Sequence, residues 1–596
     1  MKLHLQLFSD IIEFLRWGFP AMLVLMLVVG LTEGFSITLL LPLLSQIGIS
    51  YTAGQGFAGA ILSRGLAVIG ASIGTLGILI AVVGVAMVQG VLYIWLQWWM
   101  VRASRGYQHR RQLQLFRALV RAQWEFVIGR KVGELTSAIV SQSERLAQAF
   151  HNGLYLISTS IITCIYLGFA LMIAWPITLA LLGCTFLMTF AVLHLYRQSS
   201  AVGKTIAPLN AELQSLLGEQ IFGIKIVKAT ASEDVATVRV DQIITKLEKA
   251  NTLATILPVV VRGLFEFLAF ILLAAIFVFG ERGFGIAPGN VIVVFALFVR
   301  LFPRITTLQG YLLSLNSHLH ALDAVGALQA AADAHAETVS PRTGRLSMPL
   351  PTRLELHGVG VHLAGIKILN EINLAVPMPG LIGIVGGSGA GKSTLVHTVL
   401  GLVRPSAGRI TLGTHDLASV PTSVWRRTIG YVPQETILFH TSIRENLTIA
   451  KPNATRAEVR FAVERAQAHS FIEDLPRGYD TIIGDHGVKL SGGQRQRLGI
   501  ARALMANPIL LLLDEAMSAL DTESEVELLR TIEGLRQDMG ILMVTHNLAA
   551  VHTADSIYVI ENGRVVEWGT WSQLMSRRSR LFALTAAHDL QAAATS

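Results

Sequence analysis

Two short stretches of this chain carry residues whose types and spacing suit phosphate chemistry. Gly386, Gly387, Ser388, Gly389, Ala390, Gly391, Lys392, Ser393 and Thr394 read GGSGAGKST and follow the apolar run LIGIV. They fit the spacing G-x-x-x-x-G-K-[ST] between a strand and a helix start. Glycines there let backbone N–H groups turn inward around phosphate oxygens. The lysine reaches the terminal phosphates, and the Ser393 hydroxyl can hold Mg²⁺. Farther on, ILLLLDEA ends an apolar run in Asp514 and Glu515. A buried parallel strand presents such acids at its carboxyl end, beside the glycine-rich loop. Asp514 would help hold Mg²⁺, and Glu515 is placed to orient and polarise an attacking water.

A second glycine-rich loop, LSGGQ at Leu490 to Gln494, is unexplained by this chemistry. One nucleotide needs one phosphate cradle, and the chain contains no second P-loop and no repeat of the segment that carries the first.

The elements that must position these loops lie in the second half of the chain. At 596 residues, two or more domains are expected. Apolar residues make up 52% and charged residues only 15%, which leaves much of the chain to face lipid. Apolar runs long enough to span a bilayer fall at about 18–47, 74–100, 152–174, 176–197, 255–280 and 286–310. After Pro351 the composition becomes that of a soluble α/β protein. The reading is an all-α six-helix transmembrane domain over 1–326, a Pro/Ser/Thr/Gly-rich linker over 327–352, and an α/β P-loop NTPase domain over 353–596. The net charge of +8 comes from basic residues clustered beside the apolar runs. That is the positive-inside pattern rather than a nucleic-acid footprint. Cys164 and Cys184, the only cysteines, both lie in apolar runs, so no disulfide framework is expected.

The loop after the first span carries Arg64 alone, whereas the stretch after the second carries a run from Arg102 to Lys131. The amino terminus, both long connections and the nucleotide domain are therefore expected on the cytoplasmic side of a multi-pass protein of the inner (plasma) membrane. Trp95, Trp98 and Trp99 would form the inner aromatic belt. Trp175-Pro176 leaves spans three and four almost no loop. Both long connections show helical periodicity, with turns near Gly129 to Leu135 and Gln220 to Ile224. Charges at membrane depth suggest function, and the candidates are Glu33, Arg262, Glu266, Arg300 and Arg304. Arg262 and Glu266 are i,i+4 partners. Arg300 and Arg304 share a face and could line an inward cavity that attracts a negative head group.

The ordered set of motifs over about 350–585 resembles the ATP-binding cassette (ABC) superfamily. Gly386 to Thr394 matches its Walker A pattern, Gln434 in YVPQE its Q-loop, and Leu490 to Gln494 its signature. Asp514 and Glu515 match Walker B with the adjacent catalytic glutamate, Ser518 to Asp521 the D-loop, and His546 in VTHN the switch histidine. The resemblance implies ATP and Mg²⁺ as cofactors, with Glu515, His546 and Gln434 catalytic and Ser393, Gln434 and Asp514 around the metal. It also accounts for the second loop. Ser491, Gly492, Gly493 and Gln494 of one chain would cover the ATP held by the P-loop of another. Each chain then supplies half of each of two sites, most simply in a C2 homodimer. Hydrolysis is expected at both sites.

Six spans ahead of one cassette resemble an ABC exporter half-transporter, with the turns near Gly133-Glu134 and Gly223 as its coupling elements. TEGFSITLLLPLL in the first span is similar to lipid-linked oligosaccharide flippases and related bacterial exporters. One position departs from the family, which usually stacks an aromatic residue on adenine after the first cassette strand. Here that place falls on Leu363, with His362 beside it. The expected function is ATP-driven movement of an amphipathic, anionic lipid-linked saccharide by alternating access. Export of peptides or hydrophobic drugs is one alternative, and a non-transport ATPase that gates a channel or senses a signal is another. Membrane lipids and a small-molecule, lipid or peptide substrate are the expected partners, and nucleic acid is not.

Overall fold

The computed structural model describes residues 2–38, 75–284, 288–337, 352–363, 365–484, 490–517, 522–578 and 580–586, with side chains in parts of 170–204 and 258–302 outside that description. The end of the first expected span, the loop with Arg64, most of the linker and the D-loop motif lie outside the described residues. The chain divides into two compact units, Met1–Ala122 with Phe126–Ala336, and Gln123–Glu125 with Glu337–Ser596.

The first unit is helical. Helix α1 (Lys2–Leu15) meets α2 (Gly18–Thr38) at a bend of 101°. The first expected span begins at residue 18, and no element is expected before it. The residues before the bend form an amphipathic helix, with Leu7 and Ile11 buried and Leu5, Phe8 and Ile12 exposed. Arg16 makes the turn with a left-handed φ of 47°. Such a helix, one face packed and the other apolar, suits the membrane interface. It is clasped to α3 (Thr75–Arg121) by polar and aromatic contacts. The Tyr107 hydroxyl donates to Asp10 Oδ2 at 2.8 Å, and Arg111 pairs with the same carboxylate. Phe14 stands edge-on to both Tyr107 and Phe150. Asp10→Ala would leave the Tyr107 hydroxyl and the Arg111 guanidinium without their shared acceptor. We expect it to loosen α1 by about 1–3 kcal/mol, seen as faster amide exchange or proteolysis confined to the first fifteen residues.

Helix α3 is 47 residues long, about 70 Å at 1.5 Å per residue, more than twice a hydrocarbon core. It therefore continues well beyond the membrane, as its periodicity implied. Its outer positions, including Leu79, Ile80, Val83, Met87 and Val91, are exposed and apolar, as lipid contact requires.

Helix α4 (Ser143–Phe222) shows helical backbone across both the third and fourth expected spans. A straight helix of 80 residues would extend about 120 Å. Yet Gln214 Nε2 donates to Ser141 Oγ at 2.7 Å, so the chain must reverse within this stretch. The midpoint of that pair falls close to Trp175-Pro176, where the sequence left room only for a tight turn.

Helices α5 (Glu233–Phe284) and α6 (Pro288–His318) follow, and α7 (His320–Ala334) ends the unit. The expected boundary at residue 326 lies inside α7. ALQAAADA is rich in alanine, the best helix former, and carries the first unit on to Ala336.

The turn expected at Gly223 is present, between α4 and the short helix Ile224–Ala229. The other turn falls at 129–131, and Gly133 lies just after it in the short helix Val132–Ser137, where a Cβ would stand 2.5 Å from the Ser215 backbone, so only glycine fits. Its neighbour Glu134 pairs with Arg130 at 2.6 Å.

The second unit carries two sheets. The antiparallel one has the order β2-β1-β4-β5, with β1 (Arg353–Leu363), β2 (Ile366–Pro377), β4 (Ala407–Leu412) and β5 (His415–Asp416). The six-stranded one has the order β10-β9-β3-β8-β7-β6. Its strands β3 (Gly380–Val385), β7 (Leu510–Asp514) and β8 (Gly540–Val544) are parallel and buried along their whole length. Continuous apolar runs such as ILLLL are what a strand covered on both faces requires. Around them lie β6 (Ile429–Val432), β9 (Ser556–Glu561) and β10 (Arg564–Gly569).

Candidate functional site

Parallel pairing of β3, β8 and β7 brings three carboxyl ends together. From β3 the chain enters the loop Gly386 to Gly391 and then α8 (Lys392–Val399). Gly391 caps that helix with a left-handed φ of 101°, and a Cβ there would stand 2.8 Å from Leu369. Lys392, 5% exposed, donates from Nζ to the carbonyl oxygens of Gly386 at 3.0 Å and Gly387 at 2.9 Å. Its ammonium thus sits at the mouth of the loop. Burial pulls its pKa below the ordinary lysine value, and the Glu515 and Asp514 carboxylates oppose that shift.

At the end of β7, Asp514 is buried and accepts from the Ser393 hydroxyl at 3.5 Å. Glu515 has a φ of 49°, a left-handed conformation that costs an ordinary residue strain. Its backbone N–H still donates to Val544 O at 2.8 Å, so the turn is anchored to β8. The turn aims the carboxylate at the residues that follow β8. His546 Nε2 lies 2.6 Å from Glu515 Oε1, and Lys392 Nζ lies 3.7 Å from the same oxygen. So short an approach to a carboxylate makes Nε2 the donor. Lys392, Asp514, Glu515 and His546 therefore form one cluster, as the motif order implied.

The metal assignment can be tested on its donors. Ser393 and Asp514 present a hydroxyl and a carboxylate oxygen side by side, the hard oxygen pair that Mg²⁺ takes. Among the described residues no group of three or more His, Cys, Asp or Glu could cage a metal. The pair thus fits an ion that completes its shell with phosphate and water. When bound, the ion would neutralise charge on the phosphates. Gln434, the third expected ligand, is exposed in the loop after β6.

Burial pushes the Asp514 carboxyl above its usual range; His397 works against this, and Glu515 adds to it. A raised value means the proton binds the folded state more tightly. This contribution to stability is complete below the ordinary carboxyl value of 3.8 and is lost as pH rises through the raised one. Asp514→Asn should therefore melt above the parent at neutral pH without nucleotide, the gap closing as pH falls. It should also lose Mg²⁺-dependent hydrolysis. Scanning calorimetry against pH, beside an ATPase assay, checks both.

The signature loop stands apart from this cluster in its construction. Ser491 caps helix α9 (Gly492–Leu504) and accepts from Gln494 N at 3.2 Å, while Gln494 Oε1 accepts from Ser491 N at 3.0 Å. This capping box holds the helix start rigid with Ser491 exposed.

His362 and Leu363 end β1 and, as adjacent strand residues, point to opposite faces. Leu363 packs on the core that contains Ala390, whereas exposed His362 bonds Ser406 Oγ through Nδ1 at 2.9 Å.

In the membrane unit, the Arg262 and Arg300 side chains lie outside the described residues. Glu266 is half-buried on α5. Arg304, expected to line an inward cavity and attract a negative head group, holds its charge beside an acid. It pairs with Glu33 and stands over the Tyr166 ring, 5.1 Å from its centroid. Glu33 is 5% exposed, and its partner lies 271 residues away in sequence. Nothing local could signal that pairing.

A P-loop ATPase unit joined to a membrane-type helical unit defines a class of ATP-driven membrane protein. Residues 369–518 match the ABC transporter family, and residues 21–303 match the ABC transporter transmembrane region. The heterocyst differentiation ATP-binding protein HepA of a Nostoc species is 30% identical over 478 residues, 79% of this chain and 77% of HepA. The ATP-dependent lipid A-core flippase of Desulfotalea psychrophila is 30% identical over 501 residues, 83% of this chain and 86% of the flippase. A bacterial Atm1-family ABC exporter solved with ATP bound shares the fold, with a TM-score of 0.75 and 23% identity over 97% of this chain and 98% of that one. The chain belongs to the ABC transporter family. It has the fold of an ABC exporter, with ATP hydrolysis coupled to transport.

Proposed function

We propose that the chain moves an amphipathic, lipid-linked saccharide outward across the inner membrane by alternating access, as a homodimer with two ATPs between its cassettes. The buried Glu33–Arg304 pair carries the substrate reading: a charge pair at membrane depth, kept despite its desolvation, is expected on a polar substrate's path. Similarity to a lipid A-core flippase supports the same class. Within each site the geometry supports these roles. Lys392 and the loop amides grip the phosphates, and Ser393 and Asp514 would hold Mg²⁺. Glu515, fixed by His546, accepts a proton from the attacking water as its oxygen bonds to the γ-phosphorus, the bridging bond to the β-phosphate breaks, and ADP leaves with that oxygen. The partner's Ser491, Gly492 and Gly493 would donate to the γ-phosphate. His362 or Leu363 would border the adenine. The test is flipping of a fluorescent polyprenyl-linked saccharide in sealed vesicles. ATP-dependent loss of its accessibility supports the reading; movement of peptides or drugs alone would replace it with general export.

A further inference from the structure

The membrane unit holds an open cavity of about 320 Å³. That volume is within the range of small-molecule sites and would hold about ten waters. Each contributing helix presents one face. Tyr93 and Gln97 lie one turn apart on α3, and Thr307 and Tyr311 one turn apart on α6. Tyr155 of α4 donates its hydroxyl proton to Gln97 Oε1, so the Gln97 amide N–H groups and the Tyr155 lone pairs are the groups offered to a ligand. The rings of Tyr155 and Tyr311 lie 5.1 Å apart at 44°.

Charge decides what could bind. Glu33 and Arg304 are the only acid and base among the described lining residues, and they pair with each other. Their charges offset each other, so the pair presents no net charge to draw an anion in. What remains is hydroxyl and amide hydrogen bonding beside aromatic faces, whose negative charge receives electropositive C–H bonds. A sugar ring carries both complements.

Depth decides how it would arrive. Gln97 shares its turn with Trp98 and Trp99, and Arg102 stands over Trp98 at 5.3 Å. Such an aromatic and basic belt marks the inner interface, where inner-leaflet head groups lie.

We propose that this cavity binds the uncharged sugar ring of a glycolipid head group, and not a phosphate. The inference rests on the glycolipid reading above and names the site and the chemistry it selects. Any phosphate on the substrate would be held elsewhere.

The test uses the full-length protein in phosphatidylcholine liposomes. ATPase stimulation is titrated with glucosyl diacylglycerol and with phosphatidic acid of the same acyl chains. Two variants, Tyr311→Phe and Gln97→Leu, are carried through after confirming that they melt as the parent does. The glucosyl lipid should stimulate and phosphatidic acid should not. Each variant should raise the half-stimulating concentration about fivefold to tenfold, the worth of one hydrogen bond. If the glucosyl lipid stimulates parent and variants alike, glycolipid export stands and this site is wrong. Stimulation by phosphatidic acid alone, lost in Arg304→Gln, would make the cavity an anion site. If only peptides or drugs stimulate, the glycolipid reading falls, and the site with it.

Discussion

Glu515→Gln slows ATP hydrolysis by on the order of 100-fold to 10,000-fold, the usual contribution of a general base, while ATP still binds. The substitution keeps the volume of the side chain and, at Oε1, an acceptor for His546 Nε2 at its 2.6 Å contact. Lys392 keeps its bonds to the Gly386 and Gly387 carbonyls, so the phosphate grip is untouched. What disappears is the negative charge that takes the water's proton. A variant that binds but does not cleave should accumulate in the ATP-bound state. Labelled ATP bound in the presence of Mg²⁺ should stay with the variant as uncleaved ATP after free nucleotide is removed, whereas the parent releases it as ADP. Turnover within about threefold of the parent, far less than a lost base would cost, would move the base to another residue.

The parts of this site that the sequence made legible are those whose chemistry is contiguous. GGSGAGKST contains the turn, the lysine and the hydroxyl within nine residues, and Ser491 to Gln494 contains a complete capping box. Asp514 and Glu515 could be assigned because a continuous apolar run must be a covered parallel strand, which ends at the ligand edge of the sheet. The left-handed turn at Glu515 was not legible, since glutamate has no preference for it; the backbone bond to Val544 imposes it. Arg304 shows the limit most clearly. Its charge and depth were readable, but its partner was not, because Glu33 reaches it through folding of the whole helical unit. The same holds for Asp10, which anchors α1 through Tyr107 and Arg111, residues about a hundred positions away. The linker was expected from residue 327, but the alanine-rich stretch there keeps the helix going to Ala334.

Mixing two inactive variants should restore nucleotide occlusion that neither has alone. Lys392→Ala removes the phosphate grip from a P-loop and leaves its signature loop intact. Gly492→Asp does the reverse: it places a carboxylate at the exposed start of α9, where a γ-phosphate would approach. Two like charges about 4 Å apart at the effective dielectric of a protein surface repel by about 4 kcal/mol, enough to cut occupancy by more than 100-fold. If each site joins the P-loop of one chain to the signature of the other, a mixed dimer has one site with both lesions and one with neither. With equal amounts and random pairing, half the dimers are mixed, and occlusion recovers to roughly a quarter of the parent's. Occluded ATP is counted rather than turnover, so coupling between sites in the catalytic step does not enter. If each chain instead closed its own signature over its own P-loop, every site in the mixture would carry one lesion and recovery would be nil. The comparison separates the two arrangements because Ser491 is already rigid and exposed within a single chain, with its capping box complete. A loop built in advance and presented outward needs only the phosphate that a second chain would bring.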